Sequence, residues 1–155
     1  MATTSTTTAA ADMNAIWDAV PKVWQEGSCH CGAVKFKVLH QPLEAGPTCH
    51  IPVGACNCSI CLKNGYLLIY PERHEIKWLS GWDEMKNYRF ATQTRDHKFC
   101  GGCGSSVCID FLGNWSVGDV LGVNVRLLHG VDILKLNLRR RNGRGFRPEF
   151  NDQYP

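Results

Sequence analysis

Three cysteines fall within six positions of the stretch GACNCSICLKNG (54–65): Cys56, Cys58 and Cys61. Clustered thiolates are soft metal ligands, and zinc is the cation such sites usually take. Tetrahedral zinc needs four donors, so this trio lacks one. A side chain could supply it, and Cys49 and His50 in TCHIPVG are the nearest candidates. That would close the site. Alternatively the fourth position stays open, as in catalytic zinc sites. An incoming thiol would then lose its proton, and a carbonyl or hydroxyl oxygen would be polarised. His50 could also transfer protons, its unperturbed pKa being ~6.5.

Two further pairs flank the trio. GSCHCGAV contains Cys29 and Cys31, and FCGGCGSSV contains Cys100 and Cys103 in a zinc-knuckle pattern. Gly101, Gly102 and Gly104 permit the left-handed backbone that turns amides toward sulfur. One pair near each end of the chain can close a four-cysteine site, which pins the two regions together and adds metal-binding energy to folding. The seven residues therefore divide into a structural set and a chemical set.

The elements that must position these ligands are short. AVKFKVLH (33–40) alternates Val34, Phe36 and Val38 with Lys35 and Lys37, the period of a half-buried strand. Further strands are expected over 66–70, 74–80, 85–90, 105–110, 120–128 and 133–138, separated by turn signals such as Ser80-Gly81 and His129-Gly130. The single helical turn expected lies in the trio itself, with Asn57 as N-cap and Asn64-Gly65 as stop. Cys58 and Cys61 would share one face of it, near amides that favour thiolate. The expectation is a mainly β domain of antiparallel sheets with few short helical turns. It would occupy residues 24–142, after a disordered or loosely docked leader (1–23) and before a C-terminal tail (143–155). MNAIWDAVPKVW (13–24) reads as a short amphipathic turn docking Trp17 or Trp24.

Composition narrows the class. With 155 residues, 44% of them apolar, the chain fits one domain with a real core. No apolar run approaches the roughly 18 residues of a membrane span. The opening residues lack the pattern of a secretory or transit signal. Nine cysteines in that setting point to metal binding in a reducing cytoplasm rather than to disulfides. A net charge of +3 is too weak to argue for nucleic acid. Five arginines lie in LRRRNGRGFRPEF (138–150), which reads as a solvated tail or, alternatively, as a weak attractor of anionic partners.

GSCHCGAVKF, CNCSICLKNGY, FCGGCGSSV and GVNVRLLHGVDILKLNL together resemble, in order and spacing, the glutathione-dependent formaldehyde-activating enzyme family, which also includes the centromere protein V-like proteins. The resemblance spans about residues 24–142. It implies a zinc-bearing Mss4-like β fold, also called a β-tent, with two zinc ions. Cys29, Cys31, Cys100 and Cys103 would hold the structural one. Cys56, Cys58 and Cys61 would hold the second, its fourth place left for a thiol substrate. The implied reaction adds glutathione, as cosubstrate, to formaldehyde, formally a carbon–sulfur lyase run in reverse. The same scaffold could be redirected to another electrophile, serve as a non-catalytic zinc-stabilised interaction module, or act as a redox-sensitive thiol cluster.

The remaining candidates carry ordinary readings beside functional ones. Asn124 and Arg126 in GVNVRLL would share one face of a strand. Arg126 could hold a substrate carboxylate or belong to a structural hydrogen-bond network. His30 is expected to point away from metal, and His97 and Asp110 to be structural or on the surface. Cys49 and Cys108 read as small buried side chains. Trp78, Trp82 and Trp115 read as core or pocket wall.

Overall fold

Phe36 and Val38 point one way along their strand and Lys35 and Lys37 the other, and this strand is paired on both edges. The computed structural model, which describes residues 20–116 and 118–146, places β2 (Lys35–His40) between β1 (Val23–Ser28) and β5 (Ile76–Ser80), antiparallel to both. Phe36 and Val38 are fully buried. Removing the phenyl ring alone from water contributes on the order of 1.5–3 kcal/mol. On the outer side Lys37 pairs with Glu26 of β1, Nζ to Oε1 2.8 Å.

The second sheet has seven strands. In spatial order they are β10 (Leu138–Arg141), β3 (Val53–Cys56), β4 (Leu68–Ile69), β9 (Leu121–Asn124), β8 (Ser106–Asp110), β7 (Asp96–Phe99) and β6 (Lys86–Tyr88). All neighbours are antiparallel except β10 and β3, which run parallel. Adjacent residues serve opposite faces, as a two-residue period requires. Ile69 joins Phe36, Val53, Val107 and Val123 in the core between the sheets. Leu68 joins Cys61, Tyr66, Ile109 and Phe111 on the other face. That second face carries α1 (Ser59–Lys63) and the chemistry.

The architecture is the mainly β one expected, and six of the seven expected strands are found, most of them trimmed. The differences are informative. The run 120–128 stops as a strand at Asn124 and continues as a 3-10 turn over Val125–Leu127, so Asn124 is buried while Arg126 is exposed. The strand expected at 133–138 lies instead at Leu138–Arg141. Arginines read as a solvated tail are thus a paired strand, because backbone bonding to β3 needs no apolar side chains. β1, β3 and β7 carry no clear alternation. In β7 Asp96, His97 and Lys98 are all buried, with Arg89 pairing Asp96 and Asn87 accepting from Lys98, Nζ to Oδ1 3.0 Å. Trp24 lies on β1, and residues 13–19 of the turn expected there fall outside the described residues, as do 1–19 of the leader. Among the described residues no helix is long and apolar enough to cross a membrane.

Candidate functional site

Two tight turns built alike bring four sulfurs together. In the first, the amide of Gly32 bonds the Cys29 carbonyl at 3.0 Å, and the Cys29 amide bonds Val34 O at 3.0 Å. In the second, the Gly104 amide bonds Cys100 O at 2.8 Å and the Cys100 amide bonds Ser105 O at 3.0 Å. Gly32 and Gly104 both have φ of 75°, which favours glycine at the exit of each turn. The Ser105 hydroxyl ties the turns by accepting from the His30 amide at 3.1 Å.

The Sγ atoms of Cys29, Cys31, Cys100 and Cys103 lie within 4.8 Å of one another. Cys29 to Cys31 is 3.6 Å and Cys31 to Cys100 is 3.7 Å. A tetrahedron with Zn–S bonds of ~2.3 Å has edges of about 3.8 Å, so the donor set fits zinc. The Ser105 hydroxyl, 3.2 Å from Cys103 Sγ, holds that thiol down to about 5. The Val34 amide donates to Cys29 Sγ at 3.3 Å.

The other group is the trio. Cys56 ends β3, Cys58 caps α1 and Cys61 lies one turn along it. Their sulfurs also lie within 4.8 Å of one another. Hydrogen bonds from Cys58 and Cys61 overcome burial and hold Cys56 well below the usual thiol range. Cys61, donor to both and itself buried, is pushed up. Within the trio the thiolate form is therefore favoured at Cys56 rather than at Cys61. Asn64 and Gly65, the latter at φ 60°, end α1 as expected. Asn57 does not cap it. Its side chain instead donates to Asn142 Oδ1 at 2.9 Å and accepts from the Arg144 amide at 3.1 Å.

Among the described residues no fourth cysteine, histidine, aspartate or glutamate ligand atom joins the trio. His50 is exposed and belongs to neither sulfur group. Cys49 is buried, its Sγ 3.8 Å from Ile51 O, and also stays apart. Cys108 is fully buried in the core, and burial pushes its thiol up to about 12. Asp110 is buried beneath Arg73, Oδ1 to Nη2 2.8 Å, in a structural pair.

A cleft of about 720 Å³ opens beside the trio. Tyr70, Phe111 and Trp115 form an aromatic wall, with Tyr70 and Trp115 edge to face at 4.9 Å between centroids. Arg95, Arg139, Arg140 and Arg141 also line it. His97 lines both this cleft and a neighbouring one of about 490 Å³. Burial first, then Arg95, lowers its pKa to about 4, so the ring is neutral at pH 7. Its Nδ1 is 3.5 Å from the Tyr66 hydroxyl.

Arg126 lies on another side of the trio, in a cleft of about 550 Å³ shared with Cys56 and Cys61. Its Nε donates to Gly65 O at 2.7 Å, clamping the end of α1. Asn124 Oδ1 accepts from the Leu67 and Arg126 amides, and its Nδ2 donates to Ser106 O at 2.9 Å. Among the wall residues, the trio's motif offered no signal for Arg95, His97 or Arg139–Arg141. They reach it through β7, the loop residue just before it, and β10, and neither strand has an apolar period.

Two β-sheets joined at a four-sulfur group, with a three-sulfur group facing a cleft, define a mainly β protein with two cysteine clusters that could hold metal ions. Residues 24–135 match the family described as Glutathione-dependent formaldehyde-activating enzyme, and the chain belongs to that family. Its fold is thereby Mss4-like. A curated relative from Halomonas elongata, provisionally named a glutathione-dependent formaldehyde-activating enzyme, is 30% identical over 92 residues. That match covers 54% of this chain and 54% of the relative, so the chain spans about half the relative's length. A crystal structure of a Rhodobacter sphaeroides protein, a structural-genomics target, is similar with a TM-score of 0.55 at 26% identity. It covers 70% of this chain and 92% of its own.

Proposed function

We propose that the protein is a zinc-dependent carbon–sulfur lyase-type enzyme that activates a glutathione-like thiol toward formaldehyde or another small electrophile. The observation that carries this is the trio: three sulfurs in mutual reach, facing a cleft, with no fourth ligand among the described residues. Family membership and the Halomonas relative's name support the choice of reaction.

In this proposal Cys29, Cys31, Cys100 and Cys103 hold a structural zinc, and Cys56, Cys58 and Cys61 hold the second. Zinc on three thiolates would supply a soft position for another sulfur and lower that thiol's pKa; its Lewis acidity is damped by the charge already donated. The chain's own residues do the rest. The cleft brings thiol and electrophile together, which supplies the proximity contribution. The sulfur adds to the carbonyl carbon, one C–S bond forms, the C=O π bond opens, and the thiol proton ends on oxygen. His97, neutral and lining the same cleft, would hydrogen-bond that oxygen. Arg126 fixes the end of α1 and so the position of Cys61. His50, exposed and apart from the trio, is given no step.

Formation of S-hydroxymethylglutathione from glutathione and formaldehyde, followed by NMR, tests the proposal. Zinc-loaded protein should accelerate it, and Cys58→Ser should not. Acceleration that is equal in both, or absent in the loaded wild type, would refute it.

A further inference from the structure

We infer that β10 and residues 142–144 form an anion-recognising strap beside the trio, with Arg139 and Arg141, which share one face of the strand, receiving carboxylates of the thiol. This deepens the thiol-binding proposal above and rests on it. Three observations carry the inference.

The strap is fastened to the trio rather than merely near it. β10 runs parallel to β3 in a register that sets Arg141 beside Cys56. The Asn57 amide donates to Arg141 O at 3.0 Å. Asn57 stands between two ligand cysteines and its side chain grips Asn142 and Arg144. Gly143 then packs directly on Cys56. A segment so anchored holds its arginines at a fixed distance from the sulfurs.

The cleft it covers is cationic on one wall and apolar on the other. Four arginines line it, and no acidic side chain does among the described residues. None of Arg139, Arg140 and Arg141 makes an ion pair with a described acidic residue. Guanidinium forks match carboxylates in a bidentate way, and two forks on one face of a strand can take two. The charge on a three-thiolate zinc site would account for one cation, not for several on one strand.

Finally, the family match ends at residue 135, before β10 begins. Arg139 and Arg141 therefore lie just beyond the matched segment, whereas Arg95 lies within it. The ligand class implied is a thiol carrying two carboxylates, its body against Tyr70 and Trp115.

Calorimetric titration of the zinc-loaded full chain tests this with glutathione, its diethyl ester and glutarate, in wild type and in Arg139→Gln/Arg141→Gln. Wild type should bind glutathione at least about tenfold more tightly than the diester, and glutarate should compete. The double variant should keep its zinc content and circular dichroism while that preference falls to within about threefold. Equal affinities for glutathione and diester in wild type would overturn the inference. So would a preference retained by the double variant, or loss of zinc from it in place of selectivity. If neither thiol binds, the thiol proposal fails by itself. The strap then stands only if glutarate binds wild type and not the double variant, and falls otherwise.

Discussion

The backbone of Gly143 lies against the sulfur of Cys56, so closely that a Cβ added there would sit 2.4 Å from Sγ and 3.0 Å from Cys58 Cβ. The Gly143 amide also helps keep that thiol low. Replacing Gly143 by alanine must therefore push the ligand sulfur aside. Gly143→Ala is expected to lose metal from the trio alone, so that metal analysis falls from two zincs per chain toward one, with circular dichroism unchanged.

The two sulfur groups should separate in stability measurements. Cys100→Ser breaks the group that pins the two knuckle turns together, and loss of such a metal site costs ~3 kcal/mol or more. For a domain of this size that lowers Tm by on the order of 10 °C. Cys58→Ser should shift Tm far less while abolishing activity. Thermal denaturation of both variants checks the division of labour.

How much of this was legible beforehand follows from where each kind of information lies. Cysteine spacing is local, so both sulfur groups could be proposed from three short motifs, and α1 stops where Asn64-Gly65 said it would. Alternation exposed β2 because Phe36 and Val38 face a core. β10 was hidden because its arginines are exposed and its partner, β3, lies far away in sequence. β7 was hidden because its buried residues are polar, satisfied by partners that only the fold supplies. His97 stayed obscure for the same reason, and His50 stood out only through adjacency.

Asn124 is the buried hinge between β9 and the 3-10 turn. Removing its side chain leaves the Ser106 carbonyl and two amides short of partners. Asn124→Ala should destabilise the protein by about 1–3 kcal/mol in urea titration. Arg126→Ala, at an exposed position, should change stability by less than about 1 kcal/mol while loosening α1.

His97 ionises near pH 4 in the folded protein and near ~6.5 unfolded. Between those values the unfolded chain binds the extra proton, so stability is fully present above ~6.5 and declines as pH falls toward 4. The loss from this residue reaches about 3 kcal/mol at most, roughly 1.4 kcal/mol per pH unit. Buried His40, lowered by desolvation, adds to it in the same direction. His97→Gln should flatten the curve of unfolding free energy against pH in that window, measured as its difference from wild type.

Zinc-edge X-ray absorption of fully loaded protein, with and without glutathione, bears most directly on the vertex left to an outside sulfur. Average coordination should rise from a value between three and four sulfurs per zinc to four when the thiol is added, with a lighter donor lost. A spectrum already at its final ligand set, with imidazole scattering from the protein and no response to thiol, would contradict it.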